Sequence, residues 1–204
     1  MKVLVAILFF SFALCQARNI AVEDVVQVQL YYESLCPYSI DFIVNQLYPA
    51  YKDLSKYINL ELVPWGNAHE TTVNGTKQVT CQHGVDECYG NKVHSCALNI
   101  TSVDISTAFI ACAEGADSPT ETSTFQECAT SNEISWDVLD ACVTSSIGDE
   151  LLSENGEKTA KVNLPGVPYI VIDQVFTDEN EAKARSDFRG LICSLIPANE
   201  QCNI

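Results

Sequence analysis

Apolar and polar positions along the chain change character several times. After Lys2 comes a nearly unbroken apolar run, Val3 to Leu14. It is too short to cross a bilayer, which takes about 20 residues, and has the length of a signal-peptide core. Small residues at Cys15 and Ala17 place cleavage after Ala17, so residues 1–17 are expected to be a signal peptide and 18–204 the mature domain. Val25–Tyr32 (VVQVQLYY) then alternates and is rich in Val and Tyr, which predicts a strand. Ile40, Ile43, Leu47, Tyr51, Leu54 and Ile58 recur at helical spacing and form one apolar stripe. Pro49 lies inside that pattern and predicts a kink. A second strand is expected at Ile58–Val63, ending at Pro64.

From about 67 to 156 strand signals fade. Short helices are predicted at Val103–Ala113, Thr122–Ala129 and Trp136–Ser145, with a loop at Glu114–Thr120. Strand character returns at Tyr169–Asp173, after Pro165-Gly166-Val167-Pro168, and a last helix is expected from Glu179 to Ile196. The order is β-α-β, a helical insertion, then one strand or a pair of strands, and a helix. It predicts an α/β domain.

The chain has 204 residues, 10 cysteines and a formal net charge of −16. Past Ala17 there remain 9 cysteines (10 less Cys15) and 10 Lys+Arg (11 less Lys2) against 27 Asp+Glu. That balance argues against nucleic acid or an anionic membrane as partner. No later stretch reaches about 18 apolar residues, so no membrane span is expected. Cysteine abundance with a signal peptide points to disulfides in an oxidising compartment. The sequons Asn74-Gly75-Thr76 and Asn99-Ile100-Thr101 point the same way and make Asn74 and Asn99 glycosylation candidates. An odd number of mature cysteines leaves at least one without a partner in the chain.

Cys36 stands where the first strand gives way to the helix, and Pro37 suits the first helical turn, so Cys36 is expected at the N-cap. A thiol there faces free N–H groups and the positive end of the helix dipole, which favour the thiolate. Spacing alone equally allows Cys36 to be half of a disulfide.

The densest motif is Cys81-Gln82-His83-Gly84-Val85-Asp86-Glu87-Cys88, continuing through Asn91 to Cys96. Taken by residue type, Cys81, His83, Cys88, His94 and Cys96 suggest zinc ligation. Their spacing fits no common finger, and an oxidising compartment favours disulfides, so no metal and no cofactor is expected. His83 and His94 are read as structural hydrogen-bonding residues. As CQHGxxECxxNxxxxC, the motif resembles the signature of the gamma-interferon-inducible lysosomal thiol reductase (GILT) family. Leu30–Pro37 and Leu62–Ala68 are similar to that family as well, and the resemblance covers the mature chain. It implies a thioredoxin-like fold with a disulfide-rich helical insertion, and descent from enzymes that reduce protein disulfides at acidic pH. In such folds a cis-proline packs against the active-site cysteine, and Pro168 is the candidate here.

The chain departs from the family at one position. The reductases carry Cys-x-x-Cys at the helix start; here the segment is Cys36-Pro37-Tyr38-Ser39, so Ser39 stands at the resolving position. Dithiol turnover is expected to be lost. The favoured reading is a secreted glycoprotein that binds a protein partner, such as a disulfide-containing protein. The alternatives are a monothiol reductase or isomerase acting through Cys36 mixed disulfides, and an inert structural protein. Location in the lysosomal or endosomal lumen is the alternative to secretion. A monomer is expected, with a Cys36-linked dimer as the other state. Cys81, Cys88, Cys96, Cys112, Cys128, Cys142, Cys193 and Cys202 are then expected to close four bridges. Eight cysteines allow 105 pairings, of which only Cys112–Cys128 is anticipated, across the short loop between two helices.

Overall fold

The computed structural model describes residues 25–198 and 200–202; the expected signal peptide at 1–17 lies outside them. The first strand, β1 (Val26–Tyr32), is the middle of a three-stranded sheet in the order β2-β1-β5. It runs parallel to β2 (Ile58–Pro64), with Leu30 opposite Leu62, and antiparallel to β5 (Tyr169–Ile172), with Leu30 opposite Ile170. Alternation sends Val28, Leu30 and Tyr32 into the main core with Phe42, Leu47, Phe109 and Phe188. Tyr31, Val63, Tyr169 and Val171 form a smaller cluster on the other face.

Between β1 and β2 lies a helix in three parts: α1 (Pro37–Phe42), a π-helical turn at Ile43–Leu47, and α2 (Tyr48–Leu54). Pro49 has no N–H to give to the carbonyl four residues back. The disturbance expected at Pro49 takes the form of this widened turn, which still keeps Ile43, Leu47, Tyr51 and Leu54 on the buried face.

The insertion opens with a hairpin, β3 (His69–Val73) and β4 (Thr76–Thr80), where no strand was expected. Asn74 and Gly75 turn it with φ of 51° and 80°, the left-handed pair that a two-residue type I′ turn requires. Helices α3 (Val85–Ile100), α4 (Val103–Glu114), α5 (Thr122–Ser131), α6 (Trp136–Val143) and α7 (Ser146–Thr159) follow. Three disulfides bind the insertion: Cys81–Cys88, Cys96–Cys142 between α3 and α6, and Cys112–Cys128 between α4 and α5. A fourth, Cys193–Cys202, closes the end of α8 (Asp178–Leu195). Cys36 is unpaired.

A strand pair around residue 170 does not form. Asp173 and Gln174 both take positive φ, 49° and 65°, and fold the chain back so sharply that only an isolated Ile172–Val175 bridge is made. Thr177 then caps α8 through its hydroxyl. Among the described residues no helix is long and apolar enough to cross a membrane.

Gly156 sits in α7 where a Cβ would lie 2.8 Å from the ring of buried Trp65. Helix propensity alone favours alanine there by about 1 kcal/mol, but overpacking costs about 1–3 kcal/mol. Overpacking should win. Gly156→Ala is expected to lower the urea midpoint, and a raised midpoint would show that α7 moves freely against Trp65.

Candidate active site at the start of the first helix

Cys36 is the N-cap of α1, with φ −74°, ψ 117° and Pro37 in the first turn. Its carbonyl accepts from the backbone N–H of Ser39 at 2.9 Å and of Ile40 at 3.0 Å. Its own N–H donates to the Glu33 carbonyl at 3.3 Å, which tightens the loop leaving β1. The thiol donates to the Val167 carbonyl at 3.8 Å, and the Val167–Pro168 peptide bond is cis. Arg185 on α8 donates to the Pro168 carbonyl at 2.8 Å and so holds this loop against the site. The two segments meet although 131 residues separate Cys36 from Val167. Cys36 is 6% exposed, whereas neighbouring Tyr38 is 70% exposed and offers an apolar ring at the rim.

Ser39 points inward. It is fully buried and its Oγ has no hydrogen-bond partner. Beneath the helix lies a buried polar group, of which sequence reasoning anticipated only His94, as a hydrogen-bonding residue, and missed Tyr32 and Glu114. Tyr32 Oη lies 3.1 Å from His94 Nδ1, and that nitrogen lies 3.7 Å from Glu114 Oε1. Phe109 and Phe125 pack edge-on against the imidazole. Burial pushes His94 down to about 3, so it is neutral. Burial, reinforced by repulsion from Cys36 and Glu87 whenever those groups are ionised, pushes the Glu114 carboxyl well above the carboxylate range. Glu114 was expected in a loop; it is the last residue of α4, and the Gly115 beside it masked the helix end.

The zinc reading of the motif, which the sequence already argued against, finds no free thiolates. Cys81, Cys88 and Cys96 are all in disulfides, and both histidines have partners: His94 bonds Tyr32, while His83 Nδ1 pairs with Glu87 Oε2. The described residues that could jointly hold a cation are Glu33, His83 and Glu87. Burial raises the Glu33 carboxyl, opposed by the hydrogen bond from the Asn67 N–H. The sequon residues Asn74 and Asn99 are exposed, at the hairpin tip and near the end of α3.

An unpaired cysteine capping a helix against a cis-proline loop is geometry suited to attack on a disulfide sulfur. With serine three residues on, the arrangement holds one of the two thiols that a dithiol cycle uses.

Comparison with known proteins agrees with this geometry. Residues 27–132 match the family described as gamma interferon inducible lysosomal thiol reductase (GILT). A gamma-interferon-inducible lysosomal thiol reductase-like protein of Anopheles gambiae is 37% identical over 198 residues, covering 88% of this chain and 81% of that protein. The gamma-interferon-inducible lysosomal thiol reductase of Mus musculus is 32% identical, covering 88% of this chain and 71% of that protein. Among solved structures, reduced DsbA from Mycobacterium tuberculosis superposes with a TM-score of 0.56 at 15% identity, over 87% of this chain and 86% of that one. A thioredoxin-like oxidoreductase from Silicibacter pomeroyi gives 0.52 at 14% identity, over 80% and 86%. Those two likenesses speak to the fold, which is thioredoxin-like α/β; the sequence matches speak to descent, and by them this chain belongs to the GILT family.

Proposed function

We propose that this chain is a secreted glycoprotein of the GILT family that no longer runs a dithiol reductase cycle. It holds a protein partner at the surface where Cys36 meets the Val167–Pro168 loop. The observation that carries this reading is Ser39. In a dithiol cycle the first thiolate attacks a substrate disulfide, forms a mixed disulfide and expels one substrate thiolate. The second thiol then attacks the first sulfur and expels the other substrate thiolate. A hydroxyl cannot complete that step, because the product is a disulfide. Near-complete burial of Cys36 and the exposed Tyr38 ring beside it both support binding over turnover.

A monothiol cycle is the second reading, and unpaired Cys36 at the N-cap favours it. In it, small thiols resolve the Cys36 mixed disulfide. The discriminating experiment is reduction of a protein disulfide at acidic pH by the native protein beside its Cys36→Ser variant. Binding without turnover expects equal rates; a native rate well above the variant's makes the protein a monothiol enzyme.

Disulfide-intact protein treated with a thiol-alkylating reagent under denaturing conditions is expected to take up one label, on Cys36. Intact mass before and after glycosidase treatment is expected to show glycans on Asn74 and Asn99. Two or more labels would break the four-bridge account, and an unshifted mass would remove a main support for export.

A further inference from the structure

Three segments bring one histidine and two carboxylates together beside the Cys36 loop. Glu33 lies between β1 and α1, His83 lies before α3, and Glu87 is in the first turn of α3. Their ligand atoms all lie within 4.8 Å of one another. The Glu33 and Glu87 side chains are fully buried, while His83 is 32% exposed and leaves an edge open to solvent.

The two carboxyl groups are held alike. Glu33 Oε1 accepts from the Asn67 backbone N–H at 2.5 Å, and Glu87 Oε1 accepts from the His83 backbone N–H at 3.1 Å. Each leaves its Oε2 turned toward His83 Nδ1. Glu33 Oε2 is buried with no hydrogen-bond partner and sits 3.5 Å from that nitrogen. This separation suits two ligands each about 2.1 Å from a shared cation. Each carboxylate is oriented through one oxygen by a backbone donor, the outer-shell support that metal ligands use. The other oxygen is without a hydrogen-bond partner in Glu33, and in Glu87 it pairs with His83 Nδ1, a contact that a cation between them would replace. The space is kept by Gly66, with φ 61°, where a Cβ would fall 2.3 Å from Glu33 Cγ. Two buried carboxylates this close repel when both are ionised, and a dication offsets both charges.

We propose that Glu33, His83 and Glu87 bind one divalent transition cation of the zinc class, clamping the Cys36 loop to the start of α3. Two carboxylates with one imidazole and no thiolate suit Zn²⁺ or Co²⁺ better than a soft cation. The proposal departs from the sequence reading, which expects no metal; of the residues weighed there as zinc ligands only His83 recurs, since Cys81, Cys88 and Cys96 are bridged.

The test is calorimetric titration of Zn²⁺ into metal-free, disulfide-intact mature protein at neutral pH. One equivalent is expected to bind the native protein and the Cys36→Ser variant alike. Glu33→Gln and His83→Ala are expected to weaken it at least about tenfold. Co²⁺ bound in its place is expected to show no thiolate charge-transfer band. His83 is partly exposed, so His83→Ala carries the test if Glu33→Gln fails to fold by circular dichroism. Absence of binding to the native protein, unchanged binding in His83→Ala, or loss of binding in Cys36→Ser would each overturn the proposal.

Discussion

Replacing Ser39 with cysteine is expected to raise disulfide-reducing turnover at acidic pH by at least about 100-fold over the native protein. Well-oriented intramolecular partners reach effective molarities of about 10⁵ M or more. Even a severely discounted value leaves a built-in second thiol far ahead of free thiols in solution. The site should accept the change. Ser39 is fully buried and its Oγ makes no hydrogen bond, so the hydroxyl is already a desolvated group without compensation. A thiol behaves as a small hydrophobe and tolerates that setting, which makes the substitution neutral or stabilising by about 1 kcal/mol. The assay compares native, Ser39→Cys and the double variant Cys36→Ser/Ser39→Cys with a small-thiol donor. Activity in Ser39→Cys that vanishes in the double variant assigns it to the restored pair. A Ser39→Cys protein no faster than native would mean that the surroundings of Cys36 have lost their competence as well.

Removing the Cys96–Cys142 bridge, with alanine at both positions, is expected to cost about 4 kcal/mol of unfolding free energy. Removing Cys193–Cys202 should cost nearer 2.5 kcal/mol on the same chain-entropy account. The difference follows from sequence separations of 46 and 9 residues, since the longer loop gains more freedom in the unfolded chain. Burial widens the gap. Cys96 is fully buried in the main core, so truncating it also opens a cavity. Urea midpoints of the two double variants, with matched m-values, check this ordering. Equal losses would show that the insertion is already restrained in the unfolded state.

The sequence was most legible where burial follows a simple period. Alternation in β1, the stripe from Ile40 to Leu54 and the Cys36-Pro37 junction all led to their observed elements. Helix α3 was hidden because its buried face carries Glu87, Asn91, His94 and Ser95, which no apolar periodicity reveals. In α7 the buried set is Gly148, Leu152, Ser153, Asn155 and Thr159, which apart from Leu152 is equally polar or small. The β3–β4 hairpin buries no residue and therefore alternates weakly. Its turn was nevertheless written plainly in Asn74-Gly75, a pair read only as part of a sequon. The convergence of Glu33 with His83 and Glu87 depends on how β1 exits against α3, and no local pattern encodes that meeting.

The pairing of His94 with Glu114 beneath the first helix has a consequence for proton counting. In the folded protein Glu114 keeps its proton to well above the ordinary carboxylate range, and His94, above about 3, carries none. The pair therefore holds one proton. In the unfolded chain, between the ordinary values of 4.5 and 6.5, Glu114 has lost its proton and His94 has gained one. The count is again one. Unfolding neither takes up nor releases a proton at this pair, so its contribution to stability is level across that interval. Above 6.5 the unfolded pair holds none, so stability falls as pH rises for as long as Glu114 keeps its proton in the folded protein. Below 4.5 the unfolded pair holds two, so stability falls as pH drops toward 3. Either group buried alone would tilt the whole interval; together they cancel, and they leave a plateau in mildly acidic water.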